Sequence, residues 1–473
     1  MKKTLLISIS FFMIIISTFG QANQYKNLWQ KVEDFEKKSL PKSAAHQVDN
    51  ILKRAIEDKN SPQMIKALIH QGKYEIAIDA ENDMGVFDNL NAMLASAQSD
   101  VEKAVIHSML SSLYKQYYES NLHHIGQRTD LYDHVPRDMK EWTKSIYINK
   151  IVEHALASLA PQAVLEDALV EEFEPIVVLG NDARQFYPSM FDFLALRALE
   201  TLRDYGQDLS MVLDKAHIDR AKLFAPNEQF AALEIDAEAF PQLAILSVYQ
   251  KMIRSLEARR LHQSTVLVAL SRLDYVAQLH SAHKEHGLAL LQELYEKWKD
   301  DGMSIEIVDA MCNFYEYADA DIPRLQPTTL EAKGNENIAK MYALLNKTIA
   351  KFPKHKRVGI LKNRLNNIVQ AQFTINSHRA FAPDEVKSFD IQYRNVELLR
   401  AKLYKLDDPI IFYSGGYKSK EKIRKQFVKE IDIPLKWEEP YLFYNDSFVV
   451  DVTTPGAYRL ELDMDKEMSN SRA

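Results

Sequence analysis

Ile360-Leu361-Lys362-Asn363-Arg364-Leu365-Asn366-Asn367-Ile368 and, a short way on, Phe389-Asp390-Ile391-Gln392-Tyr393-Arg394 together decide the fold. In the first stretch apolar residues return every three or four positions, the repeat of a helix face. In the second they return at every other position, the repeat of a half-buried strand. The change falls near residue 372, so the sequence predicts a helical part followed by a β part.

Toward the N-terminus the helical period continues, with punctuation where helix ends belong. Lys42 to Lys59 places Ala45, Val48, Leu52 and Ala55 on one face. Ser61-Pro62 reads as an N-cap with proline at the first helical position, where a missing N–H costs nothing. Ser99 and Glu102 have the spacing of a capping box ahead of Val105, Met109, Leu113 and Tyr117. Asp182 to Asp204, Phe240 to Ala258, Gln263 to Ala282 and Ile305 to Ala318 are also amphipathic. Ile338, Tyr342, Leu345 and Ile349 line a helix ended by Phe352-Pro353. Asp130 to Asp138 and Ile322 to Thr328 read as loops. Short helix pairs at roughly 35-residue spacing predict an irregular, tetratricopeptide-like helical-repeat solenoid, whose units must stack to bury their apolar faces.

Beyond residue 372 the alternation recurs in Ile431, Ile433 and Leu435, in Phe448, Val450 and Val452, and in Tyr458, Leu460, Leu462 and Met464. Thr454-Pro455-Gly456-Ala457 suits a type II turn. Such strands predict a small antiparallel β-sandwich of immunoglobulin type. Ala473 follows Met464 too closely for a further strand, so the sandwich is expected to be complete with fewer strands or to lack its last one.

The chain has 473 residues, 46% hydrophobic and 26% charged, with 13 glycines, which excludes a miniprotein and a mostly disordered or collagen-like chain. A formal net charge of −7 supplies no basic footprint for nucleic acid. Lys2-Lys3, the apolar run Leu5 to Ser17, and Thr18, Gly20 and Ala22 read as a signal peptide cleaved after Gly20 or Ala22. No cysteine lies near that site, so a lipid anchor is not expected. The single cysteine, Cys312, leaves no intramolecular disulfide. No other stretch is apolar enough for stable membrane insertion, and the mature chain is expected in the periplasm or secreted.

None of the motifs H-E-x-x-H, G-x-S-x-G, the phosphate-binding loop or G-x-G-x-x-G occurs, so no enzyme activity, catalytic residue or cofactor is expected. His280, His283 and His286 beside Glu285, and His123, His124 and His134, have helix or loop spacing open to a metal. They read more simply as polar helix ends, and no metal site is assigned. Cys312 lies in an apolar helical pattern and reads as a buried small residue. The basic run Lys418, Lys420, Lys422, Arg424, Lys425 and Lys429 reads as a solvated strand edge or connection. Glu166, Asp167, Glu171, Glu172 and Glu174 read as a solvated acidic face. Trp29, Trp142, Trp298 and Trp437 read as core anchors.

Three further groups of residues carry a family likeness. They are Tyr25 to Glu33 with Leu40 to Ala44 and Gln63 to Ile69; Leu110 to Tyr118 and Tyr187 to Ala195, running on to Arg197-Ala198-Leu199; and Ile391 to Asp407 with Tyr393-Arg394-Asn395-Val396. In this order they resemble the N-terminal region of a bacterial branch of the alpha-2-macroglobulin family. The resemblance implies an exported protease trap, in which bait cleavage triggers rearrangement and, in many members, a thioester captures the attacker. The thioester requires Cys-x-Glu-Gln, whereas Cys312 is followed by Asn313, Phe314 and Tyr315, and no bait segment is recognisable. No functional residue therefore carries over. The expected organisation is a signal peptide (1–22), two helical regions (23–210 and 211–371) and a macroglobulin-like sandwich (372–473). The implied role is structural and interactive within an endopeptidase inhibitor. Its partners would be proteases or other proteins and the remaining domains of a longer chain. The alternative is a free-standing periplasmic helical-repeat adaptor for peptides or envelope proteins.

Overall fold

The computed structural model describes residues 24–78, 84–129, 135–178, 180–204, 209–279, 284–320, 327–376, 381–382, 384–407 and 424–464. The signal-peptide reading, most of the Asp130 to Asp138 loop, residues 322–326, His134, His280, His283, Lys418, Lys420 and Lys422 lie outside them. The chain is mostly helical, with two small antiparallel three-stranded sheets near its C-terminal end. It divides into two compact units, Met1–His283 and Lys284–Ala473. The change of period near residue 372 thus falls inside the second unit, whose last helices share it with the sheets.

The first unit begins with α1 (24–37), α2 (Pro41–Glu57), α3 (Ser61–Ile78), α4 (Gly85–Ser96), α5 (Asp100–Ser120) and α6 (Leu122–Gly126). It continues with α7 (Lys144–Ala157), α8 (Gln162–Asp167), α9 (Ala183–Phe186), α10 (Met190–Leu202) and α11 (Leu209–Lys215). It ends with α12 (Asn227–Ala231), α13 (Ala244–Ala258) and α14 (His262–Leu279). Tyr25, Trp29 and Val32 of α1 pack with Ala44, Val48, Ile51 and Ala55 of α2 and with Ala67 and Tyr74 of α3. The buried stripe of α2 is therefore Ala44, Val48, Ile51 and Ala55, and the expected Ala45 and Leu52 are only half-buried. Alternating steps of four and three follow a 3.6-residue turn; the expected stripe ran one residue to the side.

Other helix ends correct the sequence reading in the same physical terms. The N-cap of α3 is Asn60, whose Oδ1 accepts from Gln63 N at 3.2 Å, and Ser61 instead donates to Glu102. The Ser99–Glu102 capping box on α5 forms as expected. Behind it Val105 is buried as expected, with Ala104, Leu110, Ser111, Tyr114 and Tyr118, whereas Met109, Leu113 and Tyr117 are half-buried, because a step of four drifts about 40° around a helix each time. Asp182 to Asp204 is not one helix: Tyr187-Pro188 separates α9 from α10, and a second capping box, Ser189 with Asp192, restarts the chain. A 3-10 turn, Pro241–Leu243, precedes α13, which is buried nearly all round rather than on one stripe.

The second unit contains α15 (Lys284–Trp298), α16 (Ser304–Ala320), α17 (Pro327–Lys351) and α18 (Val358–Val369). Pro327 and Thr328, expected in a loop, open α17. Arg364 of α18 reaches Asp309 and Asn313 of α16, and Arg357 pairs with Glu306 at 2.7 Å. The strands are β1 (Gln372–Asn376), β2 (Ser388–Arg394), β3 (Leu398–Leu406), β4 (Lys425–Pro434), β5 (Tyr444–Val449) and β6 (Tyr458–Met464), in sheet orders β1-β2-β5 and β4-β3-β6. Ile391 and Tyr393 of one sheet and Leu399, Ala401, Leu403 and Ile433 of the other join a single hydrophobic cluster with Leu435, Phe448 and Val450. The turn before β6 is not type II, since Gly456 has φ 157° where that turn needs about +80°.

Helix and sheet in this unit are joined by a compact polar junction. Arg394 donates to the carbonyls of Asn367 (2.8 Å) and Gln370 (3.3 Å), and Asn395 donates to those of Val369 and Pro440. The bonds to Asn367, Val369 and Gln370 satisfy carbonyls that the end of α18 leaves without helical partners. Asn395 holds a left-handed φ of 53°, which asparagine tolerates better than most residues. Tyr342 of α17 packs 4.9 Å from Tyr441, adding one further tie, while Tyr393 donates to Lys436 O within the β part.

Candidate functional site

A cleft of about 690 Å³ opens in the first unit among α7, α11, the segment after α12, and α13. Its shape depends on how α12 is held. That five-residue helix closes with Ala232 N donating to Glu228 O and Leu233 N to Phe230 O, and α13 supplies further donors to its C-terminal carbonyls. Gln250 Nε2 donates to Phe230 O and Leu233 O, both at 2.9 Å, and Arg254 donates to Ala231 O. From α14 the fully buried Arg272 donates to Ala225 O at 2.8 Å and lies 4.3 Å from the Phe230 ring. Beyond α12 the chain turns over Asp236, whose Oδ1 accepts from Glu238 N (3.0 Å) and Ala239 N (2.9 Å).

This folded lip places Glu234, Asp236 and Glu238 at the exposed mouth, with Leu156, Ala216, Ile235, Ala237, Phe240 and Ser247 around them. Lys251 is half-buried in the wall, and burial lowers its ammonium pKa with no charged neighbour contributing. The chemistry on offer is binding. The rim carboxylates attract a cationic group, and the recessed ammonium offers donors to a carboxylate or carbonyl. Lys251 has no distinct sequence marker, since α13 also carries Gln250, Arg254 and Glu257, and an amphipathic reading of Phe240 to Ala258 passes over it.

The residues singled out in the sequence are scattered. His123, His124 and His286 are exposed, and no group of three metal-capable side chains occurs among the described residues. Cys312 is fully buried on α16, as expected. Lys425 lies on β4, an outer strand of its sheet, 3.9 Å over the Tyr404 ring and paired with Glu461; Lys429, on the same strand, donates to Asp451 O. Glu166 departs from the solvated-face reading: it turns inward and accepts from Ser255 Oγ and from Gln162 at 2.7 Å. Glu171 and Glu174 remain outside and pair with Arg184. Trp29 and Trp142 are buried, while Trp298 and Trp437 are half-buried.

No protein-family model matches the chain, and no curated protein is significantly similar to it in sequence. No helix among the described residues is long and apolar enough to cross a membrane.

Proposed function

We propose that the chain is the non-catalytic N-terminal part of an exported alpha-2-macroglobulin-like protein. A helical-repeat region would stand in front of a macroglobulin-type β-sandwich, with a structural and protein-binding role in a protease-trapping molecule. One observation carries this reading. Tyr393-Arg394-Asn395-Val396, part of the stretch that resembles that family, is the junction where α18 is bolted to two antiparallel sheets sharing one core. A phrase with this job suits a helical segment leading into a sandwich. Partners on this reading are proteases and downstream domains, not nucleic acid or a bilayer.

The test is an immunoblot of the native product in its own cells with antibody against residues 23–370, together with the downstream DNA. A band several times larger than the 54.5 kDa of this chain, with further sandwiches and a bait segment encoded downstream, is the expected result. A band near that mass with a stop codon after Ala473 would refute it.

The Lys251 cleft favours a second reading, an exported helical adaptor for peptides. Short peptides with a free carboxylate and a lysine should then bind, and Lys251→Glu should abolish binding. Equal binding by wild type and variant would remove this reading.

A further inference from the structure

Between α5 and α7 the Nδ1 atoms of His107 and His154 face each other at 2.8 Å. Their ring centroids are 5.0 Å apart, and His154 is 6% exposed. Tyr114 stacks on His154 at 5.5 Å and on Trp142 at 5.7 Å, and one helical turn from His107 Ser111 Oγ donates to Ile151 O at 2.7 Å. The two imidazoles therefore sit inside the contact that joins α5 to α7.

A hydrogen bond between two imidazole nitrogens needs one proton between them, with one ring donating and the other accepting. A first added proton goes to the far nitrogen of the donor ring and leaves that bond charge-assisted. A second must go on the accepting Nδ1, which sets two N–H groups against each other at 2.8 Å. The charged and titratable neighbours do not compensate. Glu153 of α7 favours protonation of both rings, but it is held by Lys150 at 2.8 Å and stands at the exposed edge. Tyr114 of α5 is neutral, its hydroxyl pKa raised by burial, and Arg197 of α10 bonds Ser108 and Ser112 of α5, adding positive charge on that side. Asp88 of α4 approaches Tyr114 rather than the pair.

We propose that His107 and His154 form an acid-released latch, so that protonation of both rings separates α5 from α7 and loosens the first compact unit reversibly. Burial is the main cause lowering both imidazole pKa values, with that of His154 brought to about 4. Its contribution to stability is then fully present above pH 6.5, the ordinary value, and is lost as pH falls toward 4. From pH 7 to pH 5 His154 alone lowers the folded-to-unfolded ratio about 20-fold. Glu36 of the same unit is held below its ordinary value by hydrogen bonds from Lys73 and Tyr74.

The test is amide hydrogen exchange in α5 and α7 of the full chain at pH 7 and pH 5, corrected for intrinsic rates. Wild type should lose protection roughly 20-fold, and H107N/H154N, which keeps a side-chain hydrogen bond but no titrating ring, should lose less than threefold. Equal losses in both, or a wild-type loss under threefold, would overturn the latch. Should the variant not fold, histidine-ring NMR of wild type decides: one ring still neutral below pH 5.5 is expected, and both titrating near 6.5 overturns the proposal.

Discussion

Asp192→Ala should destabilise the first unit by about 4 kcal/mol, a large part of the 5–15 kcal/mol that holds a typical domain. Asp192 is fully buried at the start of α10 and serves four donors. Ser189 N and Oγ reach it at 3.1 and 2.8 Å, Arg259 Nη1 at 3.0 Å, and Arg259 Nη2 makes a second contact. Arg259 also bonds Ser255, which in turn donates to Glu166, so α8, α10 and α13 meet at this carboxylate. Truncation leaves a mostly buried guanidinium uncompensated, a loss of about 3–5 kcal/mol, and removes the reciprocal half of a capping box, about 1 kcal/mol. The two overlap, since Ser189 belongs to both, so 4 rather than their sum is expected. Urea denaturation followed by circular dichroism should show the midpoint falling by about 1–2 M. Amides of Met190–Leu202 should lose about three decades of exchange protection. D192A/R259M, which removes both charges, should recover at least half the loss. A cost under 1 kcal/mol for Asp192→Ala, or no recovery in the double variant, would refute the account.

Three other outcomes follow from the geometry. Arg272 lies fully buried with its Nε and Nη1 lacking partners and burial pushing its pKa down to about 9. Arg272→Met should therefore raise thermal stability by about 1 kcal/mol, and a loss above 2 kcal/mol would show the guanidinium to be better satisfied than its contacts indicate. Asn395→Gly removes two hydrogen bonds but keeps the left-handed backbone, so about 2 kcal/mol should be lost from the second unit. Asn395→Ala adds backbone strain and should lose about 1 kcal/mol more, and equal thermal shifts would count against this. Fully buried Cys312 should resist a thiol reagent in the native chain and react at the rate of unfolding, whereas immediate labelling would contradict its burial.

Legibility followed the range of the interaction. The switch of period near residue 372, the Ser99–Glu102 box and the half-buried faces of Phe389 to Tyr393 were open to reading because each rests on neighbours a few positions apart. β1 was missed: Gln372-Phe373-Thr374-Ile375-Asn376 is too short to separate from the end of α18, and it is a strand through its pairing with β2. The cleft around Lys251 joins residues from 156 to 251 and has no local signature.

From the sequence alone come the class of most segments and the order of helix before sheet, since hydrophobic period, caps and proline act locally on the backbone. Tertiary structure decided which faces went inward and which polar groups met. It turned Glu166 toward Ser255, joined Asp192 to Arg259, and brought His107 against His154. Burial and charge pairing depend on what stands opposite, and a residue's partner across the fold is not written in its neighbours along the chain.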